Sequence, residues 1–428
     1  MKKILVPLLV CLMAVLLLTT CDRAEPPMAH TQPPGEQGGV SPAPEPTPEP
    51  EPEPVWVGTW ASGQYYGDNT GDGGRSSALS VSKTLPDATL RQMIRTSTGG
   101  PQLRLTFSNE YGETPMTIHA AHIARATVPA GSDIDVSTDT AVTFHGGSAS
   151  VTIPAGEKMT SDPIDFPVSA LERIAVSAYF GDMPETVSCH VAARANSFIQ
   201  PGDAVSDETL DGAASNTHWF VLCNADILSP PDHQSIVVLG DSITDGYGVT
   251  NEEYTRWVDV LMDRLQENPA TRHLSVINMG IGTNCLLDQK NPLAGIDRFP
   301  RDVLEQPGVG YMIFLIGAND GEFGSRLTDA YAQMIREAQA QGILVYGCAI
   351  LPNGYVSYGR YQVNDWLRQQ YEEGGLDGFI DFDELMKDPD NPDCMLPEYD
   401  NDGIHPSAAG YAAMGEYVYS RIAADLAG

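Results

Sequence analysis

Three short stretches supply the side chains that a nucleophilic mechanism needs. Gly240-Asp241-Ser242 offers a hydroxyl, and Gly317-Ala318-Asn319-Asp320 offers an amide. Asp402-Gly403-Ile404-His405 offers a carboxylate and an imidazole. A serine hydroxyl is a poor nucleophile until a base takes its proton. His405 is a suitable base, because an imidazole changes charge near neutral pH. Asp402 precedes it by three residues, a spacing that lets the carboxylate hold Nδ1–H and turn Nε2 towards the serine. Asp400 is a rival for that role. The chain order Ser, Asp, His is one of several that reach the same triad geometry. Each stretch alone has a plain explanation. Gly-Asp-Ser suits a turn and a helix cap, Asn319-Asp320 a loop, and His405-Pro406 a helix start. Taken together and in this order, they point to a serine hydrolase site.

Such residues need a frame, and the pattern from about Gln234 onward supplies one. Ile236-Val237-Val238-Leu239 is a continuous apolar run, as in a strand buried on both faces. Thr255 to Gln266 places Val258, Leu261 and Leu265 on one helical face. Strand cores at Val276-Ile277, at Tyr311 to Ile316, at Ile343 to Tyr346 and at Gly378 to Asp381 then alternate with further segments. Helices are expected over Leu327 to Gln341, Tyr361 to Glu373 and Ser407 towards Leu426. Alternation of this kind predicts an α/β fold, a parallel sheet flanked by helices. Sites on such sheets lie beyond the carboxyl ends of the strands. The hydroxyl and amide stretches fall at strand ends, and so does a further one, Asn278-Met279-Gly280-Ile281-Gly282-Thr283-Asn284. Asp402 and His405 come on a late loop. Asp241 and Asp245 are read as turn-shaping, Trp257 as core, and Asp320 as positioning the loop that carries Asn319.

These motifs, in this order, resemble the SGNH (GDSL-type) serine hydrolase family over about 234–428. The resemblance implies esterase activity through Ser242, Asp402 and His405, without metal or organic cofactor. It also implies three oxyanion donors: the Ser242 backbone N–H, a backbone N–H of the second block, and the Asn319 amide. Aligning Asn278, Gly280 and Asn284 puts Thr283 where the family has glycine, with Gly282 the alternative. The donor is a backbone N–H, which threonine also has, although threonine is restricted in φ. Members of this family deacylate carbohydrates, lipids or small esters. An acylated polysaccharide is therefore one expected substrate. The same residues would also serve an acyltransferase, in which a sugar hydroxyl replaces water. A third reading is a non-catalytic, glycan-binding envelope protein.

Residues 56–226 read differently. Leu103-Arg104-Leu105-Thr106-Phe107 alternates apolar and polar, and Ile174 to Phe180 is rich in strand formers. Short runs at 141–144 and 151–153 are separated by turn signals such as Gly99-Gly100 and Pro154-Ala155-Gly156. The expectation is an all-β sandwich or jelly roll preceding the 234–428 catalytic domain. Gly58-Thr59-Trp60, Leu90 to Ser97 and Asn196 to Asp203 resemble the β-sandwich domain of a secreted branch of the family.

The beginning of the chain reads as an address. Lys2 and Lys3 precede an uncharged, apolar run from Ile4 to Leu18, which fits a secretory signal over 1–20. Leu18-Thr19-Thr20-Cys21 resembles a bacterial lipobox, with Thr20 in place of the usual Gly, Ala or Ser. Cys21 is thus the expected lipidation site and membrane anchor, ordinary secretion being the alternative. Residues 21–55 form a Pro/Glu-rich tether with 11 prolines between Asp22 and Val55. Proline removes backbone donors and the glutamates repel one another, so the tether is extended.

Composition excludes several classes. The 428 residues carry 24 Lys plus Arg against 57 Asp plus Glu, a net charge of −33. Phosphate backbones would repel such a chain, so nucleic acid is not an expected partner. Five cysteines come after the tether, Cys189, Cys223, Cys285, Cys348 and Cys394, with no zinc-type spacing. In an oxidising compartment Cys189 and Cys223 could pair. Cys348, in an apolar run, is expected to be a buried thiol.

Overall fold

A computed structural model describes residues 52–68, 85–288, 293–320, 324–354 and 357–427. The expected signal, Cys21 and the tether as far as residue 51 lie outside the described residues.

Residues 55–229 form antiparallel strands. One sheet has the order Val55–Ala61, Leu222–Ser229, Leu103–Ser108, Lys158–Thr160. A larger sheet runs Ala214–Asn216, Ser197–Pro201, Ala88–Arg95, Arg173–Phe180, Met116–Ala126, Ile134–Val142, and Val151–Ile153 also pairs with Met116–Ala126. The alternation at 103–107 explains how the two meet. Leu103, Leu105 and Phe107 share one core with Ile118, Ile174 and Phe180 of the larger sheet. Arg104 instead pairs with its cross-strand neighbour Asp226 at 2.9 Å. This is the expected sandwich. A small third sheet joins Tyr65–Asp68, Thr186–His190 and Trp219–Phe220.

The expected pairing of Cys189 with Cys223 is not found. Both are free, buried thiols, and they stand on different sheets. Cys223 donates to the Thr106 carbonyl at 3.3 Å. Burial pushes both thiols up to about 12. Cys348 is buried and free, as its apolar run predicts.

Residues 234–380 carry a five-stranded, all-parallel sheet. Its order is Leu274–Gly280, Gln234–Gly240, Val309–Leu315, Leu344–Cys348, Gly378–Ile380. Successive residues of each strand serve opposite cores. Val237, Leu239, Met312 and Phe314 belong to one face, and Ile236, Val238, Ile313 and Leu315 to the other. A sheet covered on both sides has no polar face to alternate with, which is why these strands read as unbroken apolar runs. Helices Trp257–Glu267, Ser325–Gln339, Ser357–Glu372 and Ala408–Ala427 flank it. Four short pieces carry no periodic signal in the sequence: the single turn Ser242–Asp245, Gly295–Phe299 with the π-helical Pro300–Leu304, the turn Phe382–Met386, and a hairpin of Lys387–Asp388 with Asn391–Met395. The strand order reverses at Gln234–Gly240, so a crevice opens where this strand and its two neighbours end.

The edge strand Leu274–Gly280 is covered by the antiparallel region. Ser275 Oγ donates to the Gly58 carbonyl at 2.6 Å, and Val276 N–H donates to Ser97 Oγ at 2.7 Å. A β-carbon on Gly58 would lie 2.3 Å from Ile277 Cδ1, so the glycine leaves the room that the Ile277 side chain fills against this strand. The cover satisfies an edge that would otherwise offer free donors.

Candidate active site

Ser242 is held by its neighbours in sequence. The strand ends at Gly240, and Asp241 caps the one-turn helix by accepting the Ile243 N–H at 3.0 Å. The turn lies tight against the second strand end, since a β-carbon on Gly280 would sit 2.4 Å from Asp245 N. The Asn278 amide donates to the Thr244 carbonyl at 2.9 Å and fixes the far end of the turn. Asp241 is 1% exposed, and its carboxyl is pushed up to about 7 by burial first, with Asp320 adding to the effect.

His405 arrives on the loop before the last helix. Asn401 N–H donates to the His405 carbonyl at 3.0 Å, and Gly403 N–H donates to Asp400 Oδ1 at 2.7 Å. Asp400 therefore shapes the turn. Asp402 is the residue that faces the imidazole: its Oδ2 lies 3.0 Å from His405 Nδ1. The same carboxylate accepts the backbone N–H of His405 at 2.8 Å and of Ile404 at 3.1 Å. Desolvation works against its charge, yet these hydrogen bonds hold the carboxyl below the ordinary range. On the other side of the ring, Nε2 lies 2.9 Å from Ser242 Oγ. Ser242 and Asp402 thus meet opposite nitrogens of one imidazole.

The three expected donors have different surroundings. Asn319 lines the same cavity as Ser242, and its amide donates to the Asn284 carbonyl at 3.1 Å. An amide nitrogen has two hydrogens, so one anchors the side chain and the second remains to serve the cavity. Gly282 N–H donates to Asp245 Oδ2 at 2.9 Å. Thr283 has φ 63°, the left-handed region that a glycine takes freely and a β-branched residue rarely does. The restriction expected at this position is real, and the chain adopts the glycine-type conformation regardless. Asp320 joins the two loops: its carboxylate accepts the N–H groups of Leu286 and Leu287, each at 2.7 Å. Gly317 is needed where it stands, with φ 125° and Tyr331 Oη 2.5 Å from where a β-carbon would be.

Several contributors escape a sequence reading. The Tyr247 ring stacks on His405 with centroids 4.1 Å apart and 27° between planes. Tyr411 fixes that segment by donating to the Tyr247 carbonyl at 2.9 Å. Arg298, 1% exposed, donates to the carbonyls of Gly240 and Met279 and to Asp302 and Asn284. It ties together the ends of the first two strands. No local pattern announces a side chain whose partners lie on other elements; for Tyr247, an aromatic residue just beyond the serine turn is the one available signal. The cavity measures about 140 Å³, and Ile243, Ile316, Ile350, Leu351 and Ile404 contribute apolar wall. No group of acidic, histidine or cysteine side chains suited to a metal ion occurs among the described residues.

Residues 238–413 match the GDSL-like Lipase/Acylhydrolase family. The region with the parallel sheet belongs to that family, and the chain is accordingly a carboxylic ester hydrolase. No curated protein matches the chain. Among solved structures, the chain is similar to a family two carbohydrate esterase from Cellvibrio japonicus, with 13% identity and a TM-score of 0.35 over 80% of this chain and 90% of that one. It is also similar to the psychrotrophic esterase EstA from Pseudoalteromonas sp., at 18% identity and TM-score 0.35, over 46% and 100% of the two chains. A member of the lipolytic protein G-D-S-L family from Veillonella parvula DSM 2008 matches at 17% identity and TM-score 0.33, over 44% and 97%.

Proposed function

We propose that the chain is an extracytoplasmic serine esterase that removes short acyl groups, acetyl above all, from carbohydrate. The observation that carries this reading is the Ser242–His405 contact of 2.9 Å with Asp402 on the opposite ring nitrogen. Ser242 Oγ attacks the ester carbonyl carbon as its proton passes to His405 Nε2. The carbonyl oxygen becomes an oxyanion, which the N–H groups of Ser242, Thr283 and Asn319 receive. Collapse expels the alcohol, protonated by His405, and leaves an acyl-Ser242. Water, deprotonated by the same imidazole, then frees the acid and restores the serine.

The space of about 140 Å³ beside Ser242 is walled by Ile243, Ile316, Ile350, Leu351 and Ile404, an apolar lining that suits a short acyl group. Carbohydrate as the alcohol half is supported by the extracytoplasmic reading of residues 1–55. In that reading Cys21 is lipidated, and the Pro/Glu-rich segment holds the body away from a membrane.

The test is turnover of aryl esters of increasing acyl length alongside acetylated glycans. Acetyl esters are expected to be cleaved, with kcat/KM falling at least about tenfold by the octanoyl ester, since a chain that cannot enter loses its binding energy. Preference for long acyl chains would contradict the assignment. Transfer of acetyl to a sugar without release of acetate would make the chain an acyltransferase.

A further inference from the structure

We propose that His190, contributed by the antiparallel region, is a positioning residue for ester cleavage: through Asp245 it holds the Gly282-Thr283 turn that presents an oxyanion donor. The inference rests on the Ser242–His405–Asp402 triad and on Thr283 N–H as a donor.

His190 ends the strand Thr186–His190, and its side chain is 4% exposed. Its Nδ1 lies 2.8 Å from the Gly63 carbonyl, and its Nε2 lies 3.0 Å from Asp245 Oδ1. Both ring nitrogens thus have a partner within hydrogen-bond distance. The imidazole is thereby fixed at two points, one in the antiparallel region and one in the turn that begins with Ser242. The second oxygen of Asp245 accepts the Gly282 N–H at 2.9 Å. Gly63 meets the same loop directly, since a β-carbon on it would lie 3.0 Å from Ile281 Cγ1. Ile281 N–H in turn donates to the Gly240 carbonyl at 3.1 Å. Residues 281 and 282 are therefore held from both regions of the molecule.

The next residue, Thr283, stands at φ 63°. A β-branched residue in the left-handed region is strained and persists only where its surroundings over-determine it. The His190–Asp245–Gly282 chain is such a surrounding. Without His190, Asp245 is free to leave the Gly282 N–H, and the 282–283 peptide can relax to negative φ. The peptide that carries the Thr283 N–H then loses the conformation that the donor role requires. The antiparallel region thus acts on the reaction without supplying an atom that touches substrate.

The test uses the full chain and an aryl acetate. His190→Ala is expected to lower kcat roughly 10- to 100-fold, in the range of a misplaced oxyanion donor. KM should stay within about threefold, because the donor acts in the transition state. Glycine adopts positive φ without strain, so in a Thr283→Gly background the loss on His190→Ala should shrink to under about threefold. A merely structural role for His190 predicts equal losses in both backgrounds. His190→Gln keeps a donor for Asp245 and carries the same two-background comparison if the alanine variant does not fold. Unchanged kcat, or equal losses with and without Thr283→Gly, overturns the proposal. If Ser242→Ala keeps its turnover, the triad reading fails and takes this inference with it. If Ser242→Ala is inactive while His190→Ala keeps full kcat, the positioning role fails alone.

Discussion

Among the described residues, serine, histidine and aspartate meet in each of the two regions. On the antiparallel sheet, His122 Nδ1 lies 3.0 Å from both oxygens of Asp139 and 3.2 Å from Ser206 Oγ. Ser206 Oγ also donates to Asp139 Oδ2 at 2.7 Å. At the end of the parallel sheet, His405 has Asp402 on Nδ1 and Ser242 on Nε2. The residue types are the same and the consequence is opposite. In the first set serine and carboxylate crowd one nitrogen, so the proton of the hydroxyl goes to the carboxylate and no base is aimed at Oγ. In the second the carboxylate meets one nitrogen and the serine the other, the arrangement that the proposed mechanism uses. Composition and proximity alone do not give a triad geometry; the side of the ring decides it.

The contrast extends beyond histidine. Arg91, fully buried in the antiparallel region, gives its guanidinium to backbone carbonyls of Ser132, Val205 and Asp207 and to Ser177 Oγ. Asn109 spends its amide on three carbonyls. Polar groups there complete a scaffold. At the parallel strand ends, the Asn319 side-chain amide is anchored to the Asn284 carbonyl and the residue lines a cavity.

The largest effect that would sharpen this comparison is at the two histidines. His405→Ala should lower kcat/KM for an aryl acetate by at least about 10³-fold, since triad members act as a unit. His122→Ala should leave it within about twofold, as expected for a residue outside the catalytic unit. Comparable losses at both positions would break the comparison.

A smaller effect is expected from the buried acid beside Ser242. Asp241 sits at about 7 in the folded chain because burial disfavours its charge, against an ordinary 3.8. Its folded value is raised, so the stability it contributes is fully present below about pH 4 and is lost as the pH rises through 7. Asp241→Asn cannot ionise, and its side-chain oxygen can still accept the Ile243 N–H. Denaturant unfolding should therefore show equal stability at pH 4 and an advantage for the asparagine variant of roughly 2–4 kcal/mol at pH 8. An advantage that does not change between those pH values would show that Asp241 is not held neutral by the fold.

Much of this architecture is legible in the chain itself, for identifiable reasons. The parallel strands are legible because burial on both faces leaves unbroken apolar runs such as Ile236 to Leu239. Ser242, Asn319, Asp402 and His405 are legible because each sits beside a strand end or on a tight loop whose residues are local in sequence. His190 and Arg298 are not, because each acts on residues tens of positions away: 55 separate His190 from Asp245, and 58 separate Arg298 from Gly240. Pairing of Cys189 with Cys223 is a reasonable expectation from shared region alone; it fails because the two cysteines stand on different sheets. The choice of Asp402 over Asp400 also needs geometry, since both precede His405 closely on one loop and only the fold shows which one meets Nδ1.

The most direct measurement is intact-mass analysis after exposure to a fluorophosphonate, which modifies only a serine whose proton is being drawn off by a base. The full chain should gain a single phosphonyl group, located on Ser242 by peptide mapping. Ser206→Ala should label as the unmodified chain does, and Ser242→Ala should not label at all while unfolding at nearly the same temperature. Label on Ser206, or label retained in Ser242→Ala, would contradict the account.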